Sequence, residues 1–153
     1  MLTLEKISTL EDMNSLMREL RRMEAKNAFD FLGALQDFAS KKFLPQWFQK
    51  KGIKNYFISE SGSEIILKIN SSKKNSVVIF DLETPDLNGL QFLASLEKNP
   101  DLKAKCKVIL VIPATIPPDA RNQLLGRGAN SLVSKPIADD ALQAAFKEIG
   151  LGY

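Results

Sequence analysis

The sequence predicts an α/β fold, a parallel sheet with helices on both faces, behind a helical N-terminal segment. Two observations carry this expectation. After Gly52, short apolar runs alternate with helical patterns, and residues 76–81 (SVVIFD) and 107–112 (KVILVI) are continuous and β-branched. Runs of that kind suit strands buried on both faces of a parallel sheet. Before Gly52 the apolar residues instead recur mainly with the 3.6-residue period of an amphipathic helix.

The elements follow in order. Ser8 or Thr9, with Glu11 and Asp12 behind it, reads as a helix N-cap with acids in the first turn. Met13, Leu16, Met17, Leu20 and Met23 form one stripe, with Glu19, Arg21, Arg22 and Glu24 largely off it. Such a stripe is a core or helix-packing surface rather than a ligand box. A second apolar set runs from Phe29 to Phe48 and ends in Gln49-Lys50-Lys51-Gly52, a C-terminal helix signal. Pro45 is expected to break or kink that helix. Residues 54–59 read as a strand, 64–69 as a short helix and 76–81 as a strand. Residues 89–98 form a helix stopped by Asn99-Pro100, 107–112 a strand, and 118–126 a helix opened by proline. Residues 131–134 are a short strand and 137–149 the last helix.

Composition excludes several function classes. The chain has 153 residues, about one domain, and its 44 % apolar and 25 % charged residues are ordinary globular values. A net charge of +3 with no basic block argues against nucleic acid. Arg18, Arg21, Arg22 and Lys26 alternate with acids, as on a solvated helix face. The absence of histidine rules out histidine-based triads and histidine zinc sites. A single cysteine allows no internal disulfide and suggests a reducing compartment; Cys106, among lysines at a strand entrance, reads as passive. No apolar run approaches a membrane span and the start lacks a signal-peptide core, so a soluble cytoplasmic protein is expected.

Ligands of such sheets gather at the carboxyl ends of the strands. Those ends carry Asp81, then Pro113-Ala114-Thr115, then Lys135-Pro136. An aspartate at the tip of a buried strand costs desolvation unless a cation attends it, and Lys135 can be that cation if the two strands are close. A plain buried ion pair is the alternative.

The surrounding spacing adds to this. Asp81 is trailed by Pro85-Asp86 and Asn88-Gly89, Gly128-Ala129 precedes the last short strand, and Lys135-Pro136 precedes the terminal helix. In these motifs the chain closely resembles the receiver domain of bacterial response regulators, the chemotaxis-regulator type included. The match is best over residues 53–153. The resemblance implies a flavodoxin-like, doubly wound parallel sheet of five strands, with residues 1–27 as a helical extension and 28–153 as the receiver-like domain. It implies that Asp81 is the phosphoacceptor, that Lys135 contacts the phosphoryl group, and that the backbone carbonyl of Glu83 joins Asp81 in facing a Mg2+ ion.

Two departures from the family stand out. Pro113 replaces the serine or threonine expected at the end of the fourth strand and offers neither hydroxyl nor N–H, and Leu132 replaces the switch aromatic. The first strand and its acidic pair are also out of pattern. Residues 31–35 as that strand leave Asp37 as the remaining acid and metal ligand, beside Gln36. The same residues read equally as helix. A third reading puts the strand at 2–7, with Glu11 and Asp12 as the acids. A helical extension to about residue 27 followed by a degenerate first strand is the reading adopted.

The expected function is that of a stand-alone, atypical or pseudo-receiver, not an enzyme, acting through protein contacts. The partners implied are proteins, a histidine kinase or a chemotaxis or motility component, with no nucleic acid and no membrane. The family's contact face would here include Arg121, Gln123, Leu124, Arg127, Leu132, Asp139, Gln143 and Lys147, and the N-terminal helices could make a homodimer. A conventional Mg-dependent phospho-receiver and a small ligand-binding or enzymatic domain on the same sheet stay open as alternatives.

Overall fold

The structure is a computed structural model and describes residues 9–152. Helix α1 (Leu10–Asn27) leads into β1 (Phe29–Ala34), α2 (Phe38–Lys50), β2 (Tyr56–Ser59), α3 (Gly62–Ser71) and β3 (Asn75–Asp81). There follow α4 (Gly89–Lys98), α5 (Pro100–Ala104), β4 (Cys106–Ile112), α6 (Pro118–Gly126), β5 (Ser131–Ser134) and α7 (Asp139–Glu148). The five strands are all parallel, in the order β2-β1-β3-β4-β5. The doubly wound sheet expected from the sequence is therefore present, with the N-terminal helix before it.

Strand β3 lies at the centre, and alternation along it sorts the core into two layers. Val77 and Ile79 join Phe31, Trp47, Phe48 and Phe146 on the face covered by α2 and α7. Val78 and Phe80 join Ile65, Phe92, Leu96 and Leu124 on the face covered by α3 to α6. Phe80 stacks on Phe92 at 4.4 Å between ring centroids, in the middle of that second layer. Among the described residues, α1 contributes to neither layer. It meets the body at β1.

Several sequence expectations are corrected. The first strand adopted from the sequence is present and starts at Phe29 rather than Phe31, and the helical alternative for this span falls because β1 is hydrogen-bonded on both sides, to β2 and to β3. The proposed strand at 2–7 lies outside the described residues. Pro45 neither ends nor divides α2. The helix is anchored on both sides of it, by buried Leu44 before and buried Trp47 and Phe48 after, and that burial outweighs one missing hydrogen bond. Asn99-Pro100 stops α4 and also starts α5, where Asn99 caps the amide of Leu102 and Pro100 takes the first turn. The last helix is shorter than residues 137–149, with Ile137 and Ile149 flanking it as core residues.

Candidate functional site at the carboxyl edge of the sheet

Asp81 ends β3 opposite Val111 of β4 and is fully buried. One carboxylate oxygen, Oδ1, accepts the amide of Glu83 at 2.9 Å. The other, Oδ2, lies 2.6 Å from the Nζ of Lys135. Lys135 follows β5, and its own amide donates to the carbonyl of Ile112 at 2.9 Å. Since β4 separates β3 from β5, the lysine side chain reaches across the end of β4 to meet Asp81.

Asp37 arrives from the other side, three residues past the end of β1. It is the N-cap of α2. Its Oδ2 accepts the amide of Ser40 at 2.9 Å, and its Oδ1 lies 3.2 Å from the same lysine nitrogen. One ammonium is thus shared by two carboxylates. Burial works against the charge on Asp37, but the bonds from Ser40 and the nearness of Lys135 outweigh it and hold its pKa below the usual carboxylate value. Burial likewise works against the charge on Lys135, and Asp81 and then Asp37 outweigh it, so the ammonium is retained to higher pH than usual.

The loop from Asp81 to α4 is fixed at several points. Thr84, itself buried, donates its hydroxyl to the Asp81 carbonyl at 2.9 Å. Asn88 and Gln91 form a reciprocal capping box on α4. A Cβ on Gly89 would stand 3.0 Å from the Cα of Leu82, tighter than ordinary contact, so a side chain there would press on this return of the chain. Asp86 accepts the Ser61 hydroxyl at 2.7 Å and the amides of Gly62 and Ser63 at 2.9 and 3.2 Å. Burial works against the charge on Asp86, but these bonds together outweigh it and hold its carboxyl well below the usual range. The tie between the Asp81 loop and the start of α3 is not visible in the sequence. Ser61, Gly62, Ser63 and Glu64 announce a helix N-terminus, but nothing marks a second acceptor 24 residues away for the Gly62 amide.

The end of β4 differs from its neighbours. Pro113 is half-buried there, its carbonyl accepting the amide of Ile116 in a turn at 3.3 Å, and Thr115 is exposed. Leu132 is half-buried against the α3–α6 layer. On the surface assigned to contacts, Leu124 is instead core, 4 % exposed. Arg121 donates to the Ser134 hydroxyl, Asp139 accepts from Trp47, and Lys51 donates to Gln143. Burial pushes the Cys106 thiol up to about 11 against the opposing pull of Lys105, in keeping with a passive cysteine.

A hard divalent cation needs oxygen ligands. Asp37 Oδ1 and Asp81 Oδ2 are buried and meet no partner but the Lys135 ammonium, so their chemistry suits a cation. The set is sparse. Among the described residues no group of three or more His, Cys, Asp or Glu could hold a metal ion, and Gln36 beside Asp37 is neutral.

Known proteins share this fold. Over 78 % of its length the chain is similar, at 25 % identity and a TM-score of 0.62, to the signal receiver domain of a putative Luxo repressor protein from Vibrio parahaemolyticus, of which 87 % is covered. The receiver domain of sensor histidine kinase PA1611 from Pseudomonas aeruginosa, a structure with magnesium in its active-site cleft, matches 79 % of this chain and is itself 97 % covered (16 % identity, TM-score 0.65). A chain of the Saccharomyces cerevisiae complex between the phosphotransfer protein Ypd1 and the receiver domain of Ssk1 matches 81 % of this chain and is 88 % covered (16 % identity, TM-score 0.67). No curated protein is significantly similar in sequence. The family described as the response regulator receiver domain matches residues 36–147, from the residue before Asp37 almost to the end of α7, and the chain belongs to that family.

Proposed function

We propose that this receiver domain of two-component signalling is atypical, with an assembled acceptor site and no hydroxyl relay, and that it works through protein contacts. One observation carries the reading. Lys135 joins Asp81 to Asp37 at 2.6 and 3.2 Å, while Pro113 follows β4 and Leu132 stands on β5.

In this reading residues 28–153 are the receiver body and residues 1–27 an extension. Asp81 stands as the phosphoacceptor. Its carboxylate oxygen would form a bond to phosphorus as the bond to a donor imidazole breaks, and the electron pair would return to that imidazole nitrogen. Lys135 would neutralise charge on the phosphoryl oxygens, and the Glu83 amide orients the carboxylate beforehand. Asp37, Asp81 and the Glu83 carbonyl are the groups that would hold Mg2+, which when bound supplies further neutralisation of phosphoryl charge. What is missing lies downstream. A proline at 113 cannot swing a hydroxyl toward the new phosphoryl group, so the α6–β5–α7 surface stays as it is.

The partner is taken to be a protein, a histidine kinase or a phosphotransfer protein. Phe38, 78 % exposed at the start of α2 and next to Asp37, supports a protein-binding rim around the site. The test is an amide NMR titration with Mg2+ and then beryllofluoride, a stable mimic of the acyl phosphate. Shifts confined to Asp81, Glu83, Lys135 and the adjoining loops are expected, and Asp81→Asn should abolish them. Shifts spreading through α6, β5 and α7 would overturn the reading in favour of a conventional switch.

A further inference from the structure

We infer that α1 is a dimerisation element whose occupant is the α1 of a second copy, packed antiparallel. The inference is independent of whether Asp81 accepts phosphate. Leu10, Met13, Met17, Leu20 and Met23 lie along this helix and are 77 %, 45 %, 44 %, 40 % and 44 % exposed. No α1 residue whose burial is described belongs to either core layer. An 18-residue helix is about 27 Å long, and one that leaves an apolar stripe in water along that length is incomplete alone.

Charge selects both the partner and the direction. The first half of α1, residues 10–17, carries Glu11 and Asp12 and no base. The second half, 18–27, carries Arg18, Arg21, Arg22 and Lys26 against Glu19 and Glu24. The helix is therefore acidic at one end and basic at the other. A parallel pair would set acid on acid and base on base. An antiparallel pair sets each acidic end against the basic end of its partner. About a two-fold axis between residues 16 and 17, the spacing then places Leu10 opposite Met23, Met13 opposite Leu20 and Leu16 opposite Met17, with Glu11 and Asp12 level with Arg22 and Arg21, so the stripe is complementary to itself.

Sedimentation velocity of the full chain across a concentration series should show a reversible monomer–dimer equilibrium. Leu16→Glu combined with Leu20→Glu should shift it to monomer, with the thermal melt of the body unchanged because neither side chain enters its core. Orientation is read by disulfide trapping in a Cys106→Ser background. Chains carrying Leu10→Cys mixed with chains carrying Met23→Cys should form mixed disulfides several-fold faster than either forms with itself. A chain that stays monomeric at the highest concentration, a dimer that survives the double glutamate variant, or preferential self-linking of each cysteine variant would overturn the proposal. Monomers that gain protection of α1 only on adding anionic vesicles would overturn it too, and assign the stripe to a lipid surface.

Discussion

At the carboxyl edge of the sheet, the chain leaving β1, β3 and β5 delivers Asp37, Asp81 and Lys135 to one point, whereas the end of β4 delivers a proline. The two sides answer to different physical demands. A buried carboxylate is tolerated only with a cation in place, so Asp81 and Lys135 support each other whatever becomes of phosphate. A hydroxyl at 113 would carry no such structural debt. The charged side of this strand-tip cluster can therefore persist for stability alone, while the residue after β4 can be exchanged without disturbing the fold.

Removing the shared cation breaks this comparison most severely. Lys135→Met leaves Asp81 buried and unpaired and should cost about 3–5 kcal/mol, measured as a lower urea midpoint. A loss below about 1 kcal/mol would mean that the pair is not structural. Asp37→Ala removes the N-cap of α2 and one of the two partners of Lys135, and should cost about 1–2 kcal/mol in the same assay.

The comparison is sharpened by pH. The lowered pKa of Asp37 contributes stability that is complete above the unfolded carboxylate value, about 4, and is lost as pH falls through the folded value. Asp86 acts in the same direction. The raised pKa of Lys135 contributes stability that is complete below about 10.4 and is lost as pH rises through its folded value. Melting temperature against pH should show a plateau from about 5 to 9, and Asp37→Asn should shallow its acid limb. The smallest effect is expected at the other tip. Pro113→Thr should change stability by less than about 1 kcal/mol, yet extend beryllofluoride-induced shifts toward β5 if a hydroxyl is what the relay lacks.

The central sheet was legible because burial on both faces leaves a mark in composition: the apolar runs of β3 and β4 admit little but β-branched and aromatic residues. Strand β1 left a weaker mark. Phe29-Asp-Phe-Leu-Gly-Ala serves a helical pattern as well as a strand, and pairing to β2 and β3, a tertiary fact, decides between them. Asp81 and Lys135 could be matched from strand ends alone. Asp37 could not be assigned with the same ease, because it serves α2 with one oxygen and Lys135 with the other. The Asp86 tie to α3 had no local signature.

Helix α2 also holds the only tryptophan of the chain. Trp47 is 3 % exposed, donates its indole N–H to Asp139 at 2.8 Å and lies 4.7 Å from Phe146, centroid to centroid. It sits on the helix that Asp37 caps and is bonded to the start of α7. The protein thus carries its own optical reporter. Its emission is expected to be blue-shifted in the native state, to redden on unfolding, and to register any axial movement of α2 when the occupancy of the strand-tip site changes.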